Sequence, residues 1–269
     1  MEVVTVATHS EGYLEALKSG CEKVNLPITF LGWGEKWKGF GWRIKLLREH
    51  IEHMKPETIV ICIDAFDVVP TAVDLNEVLN RYKSFKKPIV FGVDGQSTNW
   101  IHQWGHDRIF GVHRGVTLNG GTYMGTVKSL QTLFNIWMSV PIANETDDQK
   151  VLNEMFKTHD PWFYDNVAID KKGLLFYNNL CGVSDKNQIR IDLRHPEHSH
   201  TPSFVHGAGN CNMDDMVEIL ELPPPKKRER FQYLWNALWI YAPMMWMEIG
   251  FLILIVLFCL LGYVIRKLM

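Results

Sequence analysis

The stretch Ile59-Val60-Ile61-Cys62-Ile63-Asp64-Ala65-Phe66-Asp67 sets five apolar residues directly in front of two carboxylates. An extended segment with no polar residue on either face fits a central parallel strand that helices cover from both sides. The run stops at Asp64, and in open α/β sheets ligands gather at the carboxyl ends of the strands. Asp64 and Asp67, placed where the strand turns, can both reach one hard divalent cation, and that cation can neutralise a diphosphate. The competing reading makes the pair turn and cap residues, positions that Asp also favours.

On either side of this stretch, short apolar β-branched runs alternate with amphipathic segments: residues 3–7, 13–21, 44–54, 59–63, 73–82 and 89–93. That is a β-α-β rhythm, and it predicts an α/β domain. Past residue 94 the texture changes to loops rich in Gly, Trp and His. A helix follows over 127–138, and a second helix begins after the polar segment 144–149. Residues 180–203 are irregular and rich in His and Asp, and no internal repeat is present.

With 46% hydrophobic residues, 22% charged residues and a formal net charge of -2, the chain has no electrostatic basis for general nucleic-acid binding. Its five cysteines are widely spaced and form no C-x-x-C pair, which argues against a zinc knuckle and against a disulfide framework. The apolar run that begins at Val3 lacks a basic leader and a small-residue cleavage site, so it reads as a first strand and not as a signal peptide.

The C-terminal part differs in kind. Residues 222–230, Leu-Pro-Pro-Pro-Lys-Lys-Arg-Glu-Arg, read as a Pro-stiffened basic linker that ends a domain spanning 1–221. Residues 231–265 contain one charge, Glu248; residues 249–265 contain none, and Arg266 and Lys267 close the segment. Trp235, Trp239, Tyr241 and Trp246 supply the aromatic content of a membrane interface, so 231–269 is expected to be a membrane anchor, an interfacial helix plus a transmembrane helix or a hairpin. Lys226, Lys227, Arg228 and Arg230 outnumber the basic residues beyond the tail, which by the positive-inside rule places the preceding domain in the cytoplasm. Glycosylation at the sequon Asn144-Glu145-Thr146 would contradict that placement.

Downstream, Phe204-Val205-His206-Gly207-Ala208-Gly209-Asn210 repeats the design of a short apolar strand that stops at a ligand-type residue and runs into glycines. Glycines let the backbone approach phosphate oxygens, and successive N–H groups can bind them. An imidazole joined to two carboxylates suits Mn²⁺ better than Ca²⁺, because nitrogen is the softer ligand; Mg²⁺ is the alternative ion. A single histidine among eleven is otherwise more often structural.

Together these segments resemble the glycosyltransferase domain of the procollagen lysyl hydroxylases, of the GT-A type and related to procollagen galactosyltransferases. The resemblance is carried in order by Thr5-Val6-Ala7-Thr8, Gly12-Tyr13-Leu14, Leu31-Gly32-Trp33-Gly34-Glu35-Lys36-Trp37-Lys38-Gly39, Asp64-Ala65-Phe66-Asp67-Val68, Leu118-Asn119-Gly120-Gly121-Thr122-Tyr123-Met124-Gly125, Asp147-Asp148-Gln149 and Val205-His206-Gly207-Ala208-Gly209. It implies a Rossmann-like mixed sheet flanked by helices, and a Mn²⁺-dependent transfer of a hexose, glucose or galactose, from a UDP-sugar. The acceptor would be a hydroxyl on a protein, a glycan or a lipid-linked sugar.

The resemblance also implies roles. Val6, Ala7 and Thr8 line the uridine site; Asp64, Asp67 and His206 hold the metal; and Ala65 and Phe66 lie with Asp64 against the donor. Gly209, Asn210, Cys211 and Asn212 wrap the diphosphate. Arg43 stands where the family has a lysine near the phosphates, and Trp100 where it has a tryptophan over the donor. The Asn119-Gly120-Gly121 turn and Asp147-Asp148 lie beside the transferred sugar and the acceptor. A carboxylate there can take the acceptor proton or stabilise charge at the anomeric carbon; the alternative is that Asp147 and Asp148 cap a helix.

Ala208 and the shortened glycine run Gly39-Phe40-Gly41-Trp42 depart from the family pattern. Trp33, Trp37, Trp42 and Trp104 fit either a sugar-stacking platform or ordinary packing. Two other classes compete with the enzyme: an inert GT-A-like binding or scaffold module on a membrane, and a nucleotidyltransferase. The last needs a glycine-rich basic signature after the first strand, which Thr8-His9-Ser10-Glu11-Gly12 does not supply.

Overall fold

A computed structural model describes residues 1–71, 73–95, 100–139, 147–178, 201–208, 212–226 and 250. The chain divides into two units, Met1–Arg228 and Glu229–Met269, and the elements described below belong to the first. Its strands are β1 (Glu2–Val6), β2 (Ile28–Leu31), β3 (Ile59–Ile63), β4 (Val68–Pro70), β5 (Ile89–Val93), β6 (Leu118–Thr126), β7 (Val167–Asp170), β8 (Phe176–Asn178) and β9 (Phe204–His206). Its helices are α1 (Leu14–Lys23), α2 (Phe40–Ile51), α3 (Leu75–Ser84), α4 (Trp100–Phe110), α5 (Val127–Ser139), α6 (Asp148–Thr158), α7 (Asp160–Asn166) and α8 (Asp214–Ile219).

Six strands form one mixed sheet in the order β2-β1-β3-β6-β5-β7. β1 runs parallel to β2 and β3, and β5 runs parallel to β7. β6 is antiparallel to both of its neighbours, β3 and β5. The two-residue period of β3 explains its uniform apolarity: Val60 and Cys62 enter one core with Ile44, Leu47, Leu130 and Phe134, while Ile61 and Ile63 enter the opposite core with Leu17, Val78 and Tyr82. Helices α2 and α5 therefore cover one face, and α1 and α3 the other. Each fully buried Val or Ile contributes about 1.5–3 kcal/mol, which is why a strand in this place has no polar residue until it leaves the sheet.

Two expectations are corrected. The region after residue 94 is not only loop, since it supplies helix α4 and the nine-residue strand β6 in the middle of the sheet. Asn119-Gly120-Gly121, read as a turn, lies within β6. Glycine hides this strand from a propensity argument, yet close approach requires it: a Cβ on Gly125 would lie 2.8 Å from the Pro88 carbonyl oxygen.

A second, smaller sheet has the order β4-β9-β8. Its register places His206 opposite Val68 on one side and Asn178 on the other. The start of the basic linker is packed on the domain: Leu222 is buried with Tyr13 and Val69, and Lys226 pairs with Gly12. Of the expected membrane segment 231–265, only Gly250 is among the described residues. No helix of the described residues is long and apolar enough to cross a membrane.

Candidate active site

Strand β3 delivers Asp64 to the sheet edge, where its N–H donates to the Gly121 carbonyl at 2.9 Å. Three residues later, just before β4, the Asp67 carbonyl accepts from Gly207 N–H at 2.7 Å. This bond and the β4-β9 ladder fix His206, the last residue of β9, beside Asp67. His206 Nε2 lies 3.8 Å from Asp64 Oδ2 and 3.6 Å from Asp67 Oδ1. The three residues offer ligand atoms that all lie within 4.8 Å of one another. Two ligands on one ion at about 2.1 Å can stand up to about 4.2 Å apart, so both histidine distances fit a shared divalent cation.

The histidine is also oriented for that task. Asn178 Nδ2 donates to the Val93 carbonyl at 3.0 Å, which leaves Asn178 Oδ1 facing His206 Nδ1 at 3.1 Å. An amide oxygen only accepts, so Nδ1 carries the hydrogen and Nε2 turns its lone pair toward the carboxylates. Burial lowers the imidazole pKa, but Asp67, by charge and hydrogen bond, and then Asp64 and Asp94 outweigh it, so His206 titrates above its ordinary value. The site attracts positive charge at Nε2. Gly121 makes this geometry available, because a Cβ there would lie 2.2 Å from Asp64 Oδ2 and 3.1 Å from His206 Cε1.

Arg43, on α2, forms an ion pair with Asp64 and donates to the Gly120 carbonyl. Its Nε lies 3.1 Å from Asp148 Oδ2, but the two are not aligned for a hydrogen bond, and neither atom has a hydrogen-bond partner among the described residues. Burial raises the Asp148 carboxyl, Arg43 pulls it down, and Asp147 and Asp64 raise it again, so that it titrates at about 7. Arg43 stays charged in spite of its burial because Asp148 and Asp64 hold it so. Arg43, Asp64, Gly120, Val6 and Tyr123 line one cleft at the end of the sheet.

The two acidic residues read together in the sequence separate here. Asp147 is the N-cap of α6 and accepts from Lys150 N–H at 3.1 Å, whereas Asp148 faces Arg43. Ala7 and Thr8 follow β1 at the same edge; Ala7 is buried with Ala65, and the Thr8 carbonyl accepts from Gly34 N–H at 2.9 Å. Phe66 packs against Ala65, and the His9 ring tilts over it with centroids 5.5 Å apart.

Trp100 opens α4 and is 77% exposed. Trp33, Trp37 and Trp104 are exposed, while Trp42 is partly buried and stands edge-on to Trp37. Asn212 is described and accepts from Asp214 N–H at 2.8 Å, in front of α8. Gly209, Asn210, Cys211 and the sequon Asn144 lie outside the described residues.

Sequence reasoning passed over Asp94, whose side chain is buried beside the site and accepts from Asn119 Nδ2 and Gln149 Nε2, each at 2.7 Å. The signal was present: Asp94 ends the apolar run of β5 just as Asp64 ends that of β3. Asn178 had no such signal, since only the β8-β9 pairing brings it to His206.

The sequence model of the PLOD GT domain matches residues 1–219 of this chain. Procollagen-lysine,2-oxoglutarate 5-dioxygenase of Drosophila melanogaster is 27% identical over 237 residues, covering 80% of this chain and 31% of that protein. The multifunctional procollagen lysine hydroxylase and glycosyltransferase of Caenorhabditis elegans is 26% identical over 226 residues, covering 77% of this chain and 30% of that protein. The chain thus spans under a third of the length of these relatives. Among solved structures, a glycosyltransferase involved in glycosylation of the major capsid of PBCV-1 superposes with a TM-score of 0.51 at 11% identity, covering 82% of this chain and 98% of that one; this likeness concerns the fold. With the match spanning both carboxylates and His206, the chain belongs to the PLOD GT domain family and carries a glycosyltransferase domain of the GT-A type.

Proposed function

We propose that this chain transfers a hexose, glucose or galactose, from a UDP-sugar to a hydroxyl group, with Mn²⁺ or Mg²⁺ held by Asp64, Asp67 and His206. The observation that carries the reading is the placement of His206 Nε2 between two carboxylates with Nδ1 tied to Asn178. Bound there, the cation would supply positive charge to the leaving diphosphate. The chain's own residues do the rest. Arg43 provides a second, permanent positive charge at the same edge. In this reading Val6, Ala7 and Thr8 are the donor-site wall on the β1 side and the Asn119–Gly121 backbone is the wall on the β6 side, a reading supported by Val6 and Gly120 lining one cleft with Arg43 and Asp64. Asp148, buried and titrating at about 7, can exchange a proton with an acceptor hydroxyl near neutral pH.

The C. elegans relative is named as both a procollagen lysine hydroxylase and a glycosyltransferase, which favours a hydroxyl on a protein as the acceptor; a glycan or lipid-linked sugar is the alternative. The single charge in residues 231–265 supports a membrane anchor for this enzyme, and the basic residues 226–230 support a cytoplasmic catalytic domain. Protease protection of the full chain in sealed vesicles tests both points.

The direct test is UDP release by the full chain from UDP-glucose, UDP-galactose and a panel of other nucleotide sugars, with and without Mn²⁺. The expected result is metal-dependent release from one or two UDP-hexoses, abolished by Asp67→Asn and by His206→Ala. A flat response across all donors by folded protein would overturn the reading in favour of an inert binding module.

A further inference from the structure

A continuous path of buried polar contacts leaves the candidate metal ligand His206 and ends on helix α4. His206 Nδ1 donates to Asn178 Oδ1 at 3.1 Å, and the Thr122 hydroxyl lies 3.0 Å from the same oxygen. That hydroxyl also stands 2.9 Å from Asn119 Oδ1, so its one proton is shared between two amide oxygens. Asn119 Nδ2 donates to Asp94 Oδ1 at 2.7 Å. Asp94 Oδ2 accepts from Gln149 Nε2 at 2.7 Å and from His106 Nε2 at 2.8 Å. His206, Asn178, Thr122, Asn119 and His106 are each at most 7% exposed, and the Asp94 side chain is 3% exposed.

Asp94 is the junction of this path. It orients Asn119, whose Oδ1 accepts from Gly121 N–H at 2.9 Å, and Gln149, whose Oε1 accepts from Gly120 N–H at 2.9 Å. Both N–H groups of the backbone beside Asp64 are thus taken by side chains that one carboxylate holds in place. Apolar side chains in these positions would serve folding as well, so a fully paired buried network serves to fix one geometry. His106 is the member of the path that comes from α4.

We propose that Asp94 is a positioning residue of the donor site and that His106 is the clasp through which the docking of α4 sets the Asn119–Gly121 wall and the orientation of His206. The proposal rests on the reading of this edge as a donor site. It predicts that α4 and the site respond to each other: ligand binding steadies the helix, and release of the helix loosens the site.

The test uses the full chain as His106→Ala, His106→Gln and Asp94→Asn, with UDP and Mn²⁺ as probes. Amide exchange is followed in residues 100–110 and 118–126, and kcat and KM are followed by UDP release. In the wild type, UDP plus Mn²⁺ should slow exchange in 100–110 by about fivefold or more. His106→Ala should abolish that response and lower kcat by about 10-fold, the usual effect of removing a supporting partner, with KM changed less. His106→Gln keeps an N–H donor for Asp94 and should recover most of kcat.

Overturning results are a His106→Ala protein with wild-type kcat, or one whose α4 still responds to ligand as the wild type does. If His106→Ala does not fold, Asp94→Asn carries the test: it should lower kcat and weaken the exchange response of residues 100–110, and a lowered melting temperature with unchanged kcat and exchange response would reduce the network to scaffolding and refute the clasp. A wild-type chain that binds neither UDP nor Mn²⁺ would instead fail the functional reading. The clasp is then judged without ligand, and it survives only if His106→Ala speeds exchange in both segments.

Discussion

Replacing Gly121 by alanine adds one methyl group at the point where the two halves of the candidate metal site meet. The new Cβ would lie 2.2 Å from Asp64 Oδ2, 2.6 Å from Asp64 Cγ and 3.1 Å from His206 Cε1. A comfortable carbon–oxygen contact starts at about 3.3 Å, so the carboxylate must retreat by about 1 Å. It sits at the end of a rotatable side chain, and the strand itself can stay where it is. The stability cost should therefore fall at the low end of the roughly 1–3 kcal/mol typical of overpacking. The site has no such freedom: ligand distances tolerate about 0.2 Å, and a misplacement of about 1 Å can cost about 100-fold. We expect Gly121→Ala to unfold close to the wild-type temperature and to bind Mn²⁺ about 100-fold more weakly, as read from the electron paramagnetic resonance of the free ion during titration. Mn²⁺ affinity within about threefold of wild type, a difference below about 1 kcal/mol, would refute the assignment of Asp64 and His206 to one ion.

Three further outcomes are expected. Asp147→Ala should cost about 1 kcal/mol in urea unfolding, the value of an N-cap, and leave UDP release nearly intact, while Asp148→Asn should lower kcat by about 100-fold or more. Burial lowers the pKa of His106, but Asp94, by hydrogen bond and charge, and then Asp107 raise it above the ordinary value. A raised histidine contributes stability that is complete below its unfolded pKa of about 6.5 and is lost as pH rises through the folded value, so the stability advantage of wild type over His106→Gln should shrink across that window; a pH-independent difference would contradict the ion pair. Mn²⁺ at about 100 times its dissociation constant should stabilise the protein by about 2.7 kcal/mol, a chelator should reverse this, and His206→Ala should show no such gain in thermal unfolding.

The degree to which the fold can be read from the chain differs from element to element. Strands β3 and β5 match the expected runs at both ends, because a strand buried on both faces must be apolar throughout and breaks off where it reaches solvent or ligand. Helix α5 begins at the expected Val127 and extends one residue further, to Ser139. Strand β6 escapes for the opposite reason. Gly120, Gly121 and Gly125 remove the β-branched signature; Asp64 and the Pro88 carbonyl come too close for a Cβ at Gly121 and Gly125, and Gln149 stands tight against Gly120. Asp147 and Asp148 show the same limit in the site, since adjacent acidic residues at a helix start look alike in sequence and point to different partners in space.

By itself, the sequence determined what depends on neighbours along the chain: the apolar periods of the main strands and helices, the Asp64-x-x-Asp67 pair at the end of a buried strand, and the glycine-flanked His206. The tertiary structure alone decided how distant groups reach that pair. Antiparallel pairing of β4 with β9 brings His206 to Asp67, the β8-β9 register brings Asn178 to His206, and the bond from Asp94 to Asn119 joins the ends of β5 and β6. Hydrophobic periodicity is a local property with a fixed repeat, whereas a polar site is assembled from strand ends whose proximity is set by sheet order and register, which no repeat along the chain encodes.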